Sequence, residues 1–212
     1  MKTMTKVQLI NWHYFSNELI SFKSINFLTG TNTAGKSTII DALQVVLSGE
    51  TRSAYFNRAA GKKSERTFKS YLIGTMGDDI VKGVQSLRGD KDFSSYIVAE
   101  FYDDVKNTSF CLSMVADVYS DGGDITKRFF ILDDSLAEVR FIENGKTIDS
   151  KTFINRAKAN YTERRFHSYD TAEQYRSAVL VRTNVHDTKL FPLLRKAISF
   201  EPINNIEQFI TE

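Results

Sequence analysis

Apolar and polar residues alternate over short stretches through the first two thirds of the chain and recur at helical spacing in the last third. Residues 6–10 read as a strand and residues 19–22 as a second one. Between them lies the aromatic turn Asn11-Trp12-His13-Tyr14-Phe15, so the two predict a hairpin. Residues 24–29 predict a half-apolar strand that runs straight into glycine. Residues 37–47 predict a helix whose apolar positions (Ile39, Ile40, Ala42, Leu43, Val46, Leu47) cover more than one face, the mark of a buried helix. The stretch 49–77 is polar, basic and punctuated by glycine, with Tyr71-Leu72-Ile73 as its apolar island. Four strands are then predicted, over 95–102, 108–119, 127–132 and 138–143. The turn-like separators 103–107, 120–124 and Asn144-Gly145 suggest an antiparallel meander. Helices are predicted over 150–160 (capped by Asp149 or Ser150), 171–177, 192–199 and 204–212, with a strand-like piece at 178–181 and Pro202 as a breaker.

Composition changes this picture little. The 212 residues are 42% hydrophobic and 25% charged with a net charge of +2, which argues against a uniformly basic nucleic-acid coat but leaves room for a local patch. The single cysteine, Cys111, sits in an apolar strand pattern and reads as a core residue. No apolar run reaches the ~18 residues of a membrane span, and the N-terminus has no signal-peptide pattern. The expected location is the cytoplasm. Three histidines (His13, His167, His186) and one cysteine lack the spacing of a zinc site.

The chemistry lies in Gly30-Thr31-Asn32-Thr33-Ala34-Gly35-Lys36-Ser37, followed by Thr38, which fits the phosphate-loop pattern G-x-x-x-x-G-K-[ST]. The glycines let backbone N–H groups approach phosphate oxygens. Lys36 places a charge near the β- and γ-phosphates, Ser37 offers a hydroxyl to Mg²⁺, and the following helix aims its positive end at the anion. ATP with Mg²⁺ is the expected ligand.

Hydrolysis also needs an acid that holds the metal and one that positions water. Phe129-Phe130-Ile131-Leu132-Asp133-Asp134 has that outline, but here it ends a short antiparallel strand, so the favoured reading is a strand-to-turn junction. Glu100, Asp103 and Asp104 pose a weaker version of the same ambiguity. Trp12 is expected to pack the hairpin against the helix, the alternative being contact with adenine or ribose. Arg52, Arg58, Lys62, Lys63, Arg66 and Lys69 form a basic stretch with one acid, Glu65. It reads equally as a DNA-backbone or nucleotide contact and as a solvated loop.

Taken together, the aromatic turn, residues 25–28, the loop and Ile39-Ile40-Asp41-Ala42-Leu43 closely resemble the start of the ATPase heads of SMC-like proteins and their DNA-repair relatives. Asn11-Trp12, Tyr55 to Ala60, Arg66 to Gly74 and Phe191 to Ile198 look most like the MukB/MksB-type branch, to which JetC of the Wadjet plasmid-defence system belongs. Thr33 departs from the family, which often has glycine there, and neither Gln44 nor Gln85 reads as its γ-phosphate-sensing glutamine. The resemblance implies an α/β (α+β) P-loop fold of the ABC half-head type. A mixed sheet would surround the loop helix, with an antiparallel meander and a helical part leading to a coiled-coil arm. Residues 1–203 would be the N-terminal lobe and 204–212 the start of the arm. The implied partners are DNA, the C-terminal head lobe of the same chain, a homodimeric head partner, and kleisin-like and accessory subunits. Two alternatives stand beside it. One is a self-contained P-loop NTPase or kinase with Asp133 as metal ligand. The other is a RecF- or OLD-type repair ATPase with the same head.

Overall fold

Val7 and Leu9 fall on one side of an extended chain, and that chain is β1, Lys2–Trp12. It reverses through the aromatic turn into β2, Phe15–Ser21, which pairs with it antiparallel, Leu9 opposite Glu18. The computed structural model describes residues 1–31, 34–53, 56, 67–76, 85–185, 187 and 189–198. Next come α1 (Lys36–Ser48), α2 (Phe68–Ile73) and the small pair β3 (Thr75–Met76) and β4 (Gln85–Ser86). The long strands β5 (Phe93–Asp103), β6 (Thr108–Val118) and β7 (Thr126–Leu132) form the expected meander. The hairpin β8 (Ile142–Glu143) and β9 (Lys146–Thr147), then α3 (Ser150–Asn160), β10 (Phe166–Tyr169), α4 (Ala172–Thr183) and α5 (Leu190–Ile198) complete the described chain. Among the described residues the main sheet runs β10-β7-β6-β5-β1-β2.

Alternation along the central strands feeds two apolar layers. On one face Ile97, Leu112, Met114 and Phe129 pack with Val45 and Val46 of α1, Tyr71 and Leu72 of α2, and Tyr175 and Val179 of α4. On the other, Tyr96, Val98, Val115 and Phe130 pack with Phe153, Ile154 and Ala157 of α3. Central strands covered on both sides bury apolar residues on both faces, which is why 96–99 and 110–112 are unbroken apolar runs within them. Cys111 is a buried core residue, as expected. Buried acids are held by hydrogen bonds. Asp117 accepts from Ser94 Oγ (2.8 Å) and from the Ser150 N–H (3.0 Å), docking the start of α3. Glu100 accepts from the Leu136 N–H (2.7 Å), Ser135 Oγ and Thr5 Oγ1 and pairs with Lys6 (3.2 Å). Burial opposes its ionisation, but these donors outweigh that and hold its carboxyl below the ordinary range. Among the described residues no helix is long and apolar enough to cross a membrane.

Four expectations are corrected. Residues 24–29 are not a strand. Among the described residues no neighbour pairs with them, and an extended segment without a partner leaves its N–H and C=O groups to solvent. For the same reason the sheet is not mixed: every pairing among the described residues is antiparallel. The strand over 138–143 shrinks to Ile142–Glu143, because Ser135 caps a 3₁₀ turn, Leu136–Glu138, whose Leu136 is buried. The short helix 171–177 and the strand-like 178–181 are one helix, α4. Thr171 caps it, and Tyr175 and Val179, four apart, share its buried face, so helical packing overrides the local β preference of the valines. The helix expected over 204–212, Pro202 and His186 lie outside the described residues.

Candidate phosphate-binding site

The loop glycines do what their spacing requires at the start of α1. Gly35 is the N-cap residue at φ 90°, in the left-handed region that side chains resist. No side chain caps α1, and no acid stands in its first turn. Its first N–H groups are therefore not taken by a side-chain cap, and with the helix dipole they form an anion cradle. Lys36 Nζ donates to the carbonyls of Gly30 (2.7 Å) and Thr31 (2.8 Å), which draws the ammonium back over the loop. The Ala34 N–H closes a turn onto Thr31 O at 3.2 Å. Ser37 is half-buried in the first turn and Thr38 is buried behind it. Cationic donor, glycine backbone and hydroxyl together fit a phosphate chain carrying Mg²⁺. Asn32 and Thr33, with the departure at Thr33, lie outside the described residues.

A hydrophobic and hydrogen-bonded brace stands behind the cradle. Trp12 is fully buried; its indole N–H donates to Thr38 O at 3.0 Å and its ring stacks on Tyr71, centroids 4.7 Å apart and nearly parallel. Tyr71 in turn donates its hydroxyl to the buried carboxylate of Asp41. Trp12 thus packs the hairpin to the helix, and its burial closes the alternative of contact with a base. Alternation alone would send Trp12 to the same face as Ile10. Asn11, at φ 53°, turns the chain so that Trp12 meets α1 instead.

Asp133 is at the wrong end of the sheet for this site. It follows Leu132, which is level with Cys111, Glu100 and Lys6 across the strands, six residues along β1 from Trp12. At ~3.3 Å per residue that is roughly 20 Å. Its carboxylate is held by Arg182, with Nε at 2.9 Å and Nη2 at 2.8 Å, and its carbonyl accepts from Arg165. The strand-to-turn reading therefore stands, and Asp133 is no ligand for a metal at the loop. Among the described residues no group of His, Cys, Asp and Glu is gathered to hold a metal. Gln44 is buried on α1 and Gln85 lies in β4.

Of the basic stretch, Arg52 is paired with Glu50 (2.7 Å) and Lys69 is exposed on α2. Burial opposes the ionisation of Glu50, and Arg52 more than reverses that. Arg58, Lys62, Lys63 and Arg66 lie outside the described residues. Lys127 was not expected in this neighbourhood. Its Nζ donates to Thr51 Oγ1 at 2.6 Å and lies 5.9 Å from the Phe68 ring, joining β7 to both flanks of the stretch.

Residues 4–63 match the family model described as the P-loop containing region of AAA domain. The matched span contains the hairpin from Met4 onward, the whole loop and α1. The chain carries the P-loop region of a nucleotide-binding ATPase. No curated protein matches it.

Proposed function

We propose that the chain is the ATP-binding N-terminal lobe of an SMC-like ATPase head of the MukB/MksB type, working on DNA as part of a larger complex such as a condensin-like plasmid-defence assembly. The observation that carries this reading is the segment leading into the loop. Residues 24–29 have a strand's alternation but no partner strand among the described residues, and Ile25, Phe27 and Leu28 are 73%, 85% and 38% exposed. Apolar side chains and unpaired backbone together are the chemistry of a sheet edge that awaits another strand.

In this reading the C-terminal lobe of the same protein supplies that strand and the acids that hold the metal and position water. Residues 1–203 are the lobe and 204–212 begin the arm. Loop residues Gly30, Thr31, Asn32, Thr33, Ala34, Gly35 and Thr38 cradle the phosphates, Lys36 neutralises their charge, and Ser37 holds Mg²⁺, which when bound screens the phosphate oxygens. Two heads close on ATP and part after hydrolysis. Kleisin-like and accessory subunits complete the complex, and the basic stretch with Lys69 and Lys127 faces the DNA backbone. A RecF- or OLD-type ATPase would use the same lobe, and no observation here favours it.

Phe27→Ser tests the exposed segment. An exposed side chain removed from no packing leaves stability within about 0.5 kcal/mol of the unaltered chain. Association with the separately expressed C-terminal lobe, followed by sedimentation, is expected to be lost. A destabilisation above about 2 kcal/mol, or undiminished association, would contradict the reading.

A further inference from the structure

Asn11 and His13 both hold left-handed backbone, at φ 53° and 50°. Non-glycine residues keep such conformations where the surroundings enforce them. Asn11 Nδ2 donates to Ser94 O at 3.0 Å. The Arg88 guanidinium grips the other side of the turn, donating to the carbonyls of His13 (2.6 Å), Phe15 (3.2 Å) and Leu72 (3.3 Å). The turn so fixed is pressed onto the phosphate loop. A Cβ placed on Gly35 would stand 1.6 Å from Tyr14 Oη and 3.2 Å from Phe15 Cζ. Tyr14 Oη is buried and makes no hydrogen bond of ordinary geometry among the described residues, with the Thr38 side chain as its polar neighbour. A buried hydroxyl without a well-aligned bond is costly, and this one is held at the first turn of the helix that receives the phosphates.

We propose that Tyr14 is a positioning residue for the nucleotide: when phosphates seat on the loop, its O–H donates to Thr38 Oγ1, which turns the Thr38 hydroxyl proton toward a phosphate oxygen. The proposal rests on the nucleotide reading of the site. A threonine hydroxyl accepts and donates at once, so the two bonds are compatible. Burial raises the Tyr14 phenol above its ordinary value, so it stays a donor throughout the physiological range. Arg88 acts one step further back by fixing the turn that carries Tyr14.

Tyr14→Phe keeps the ring and removes only the hydroxyl. Mg-ATP and Mg-GTP are titrated against the unaltered chain, Tyr14→Phe and Tyr14→Leu. Binding is read by calorimetry and by the emission of Trp12, the single tryptophan, whose indole is bonded to Thr38 O. The expected result is a three- to tenfold rise, roughly one hydrogen bond's worth, in the Kd of both nucleotides for Tyr14→Phe. The ATP-to-GTP preference stays unchanged, and the Tm without nucleotide does not fall, since the hydroxyl removed has no well-formed bond there. Wild-type affinity in Tyr14→Phe overturns the proposal and leaves the nucleotide site standing. A loss confined to Tyr14→Leu, or to ATP alone, also overturns it, since that marks a ring or base contact. Failure of the unaltered chain to bind either nucleotide overturns the nucleotide reading and this proposal with it.

Discussion

Lys36→Ala is expected to weaken Mg-ATP binding by about a hundredfold or more. Nζ already sits at the mouth of the loop, 2.7 Å and 2.8 Å from the Gly30 and Thr31 carbonyls, so a bound phosphate exchanges neutral acceptors for a charged one. Two charge-assisted hydrogen bonds at about 1.5–3 kcal/mol each amount to at least that factor, since 1.4 kcal/mol is tenfold. The fold should hardly change, because the lysine supports no core residue. Calorimetric titration of the variant alongside its unfolding curve separates the two effects. Unchanged affinity would remove the loop from the nucleotide site.

The largest effect on stability is expected at Trp12. Trp12→Ala empties a fully buried position between α1 and α2 and removes the stack on Tyr71, together with the bond to Thr38 O. Truncating a buried tryptophan costs about 3–5 kcal/mol. A urea titration should show the midpoint falling at constant slope, by that free energy divided by the slope. Nucleotide affinity should drop as well, since the carbonyl that Trp12 anchors belongs to the first turn of the loop helix. A cost under about 1 kcal/mol would show that the brace does not support the helix.

Much of this arrangement could be read from the chain. The hairpin of residues 6–22 and the three long strands follow from short apolar stretches bounded by turn residues, a local signal. Gly35 and Lys36 were found because the phosphate loop is contiguous, its chemistry packed into eight successive positions. What escaped is non-local. Residues 24–29 alternate correctly, but a strand exists only beside a partner, and sequence does not say where the partner is. Residues 178–181 read as a strand because valine favours one; only the fit of Tyr175 and Val179 against α1 and β7 makes them helix. Asp41 belonged to a familiar pattern without a role, and its partner Tyr71 is thirty residues away. Arg88 gave no signal, since its bonds go to carbonyls that any residue would offer.

Phosphate release from Mg-ATP by this chain alone tests the central claim most directly. The structure offers a cradle for the nucleotide but keeps Asp133 at the opposite end of the sheet, clamped by Arg182. The expected result is saturable binding with no turnover above background, and turnover only once a second lobe covers residues 24–29. Steady hydrolysis by the isolated chain, abolished by Lys36→Ala, would place the missing acid within these residues and contradict the account.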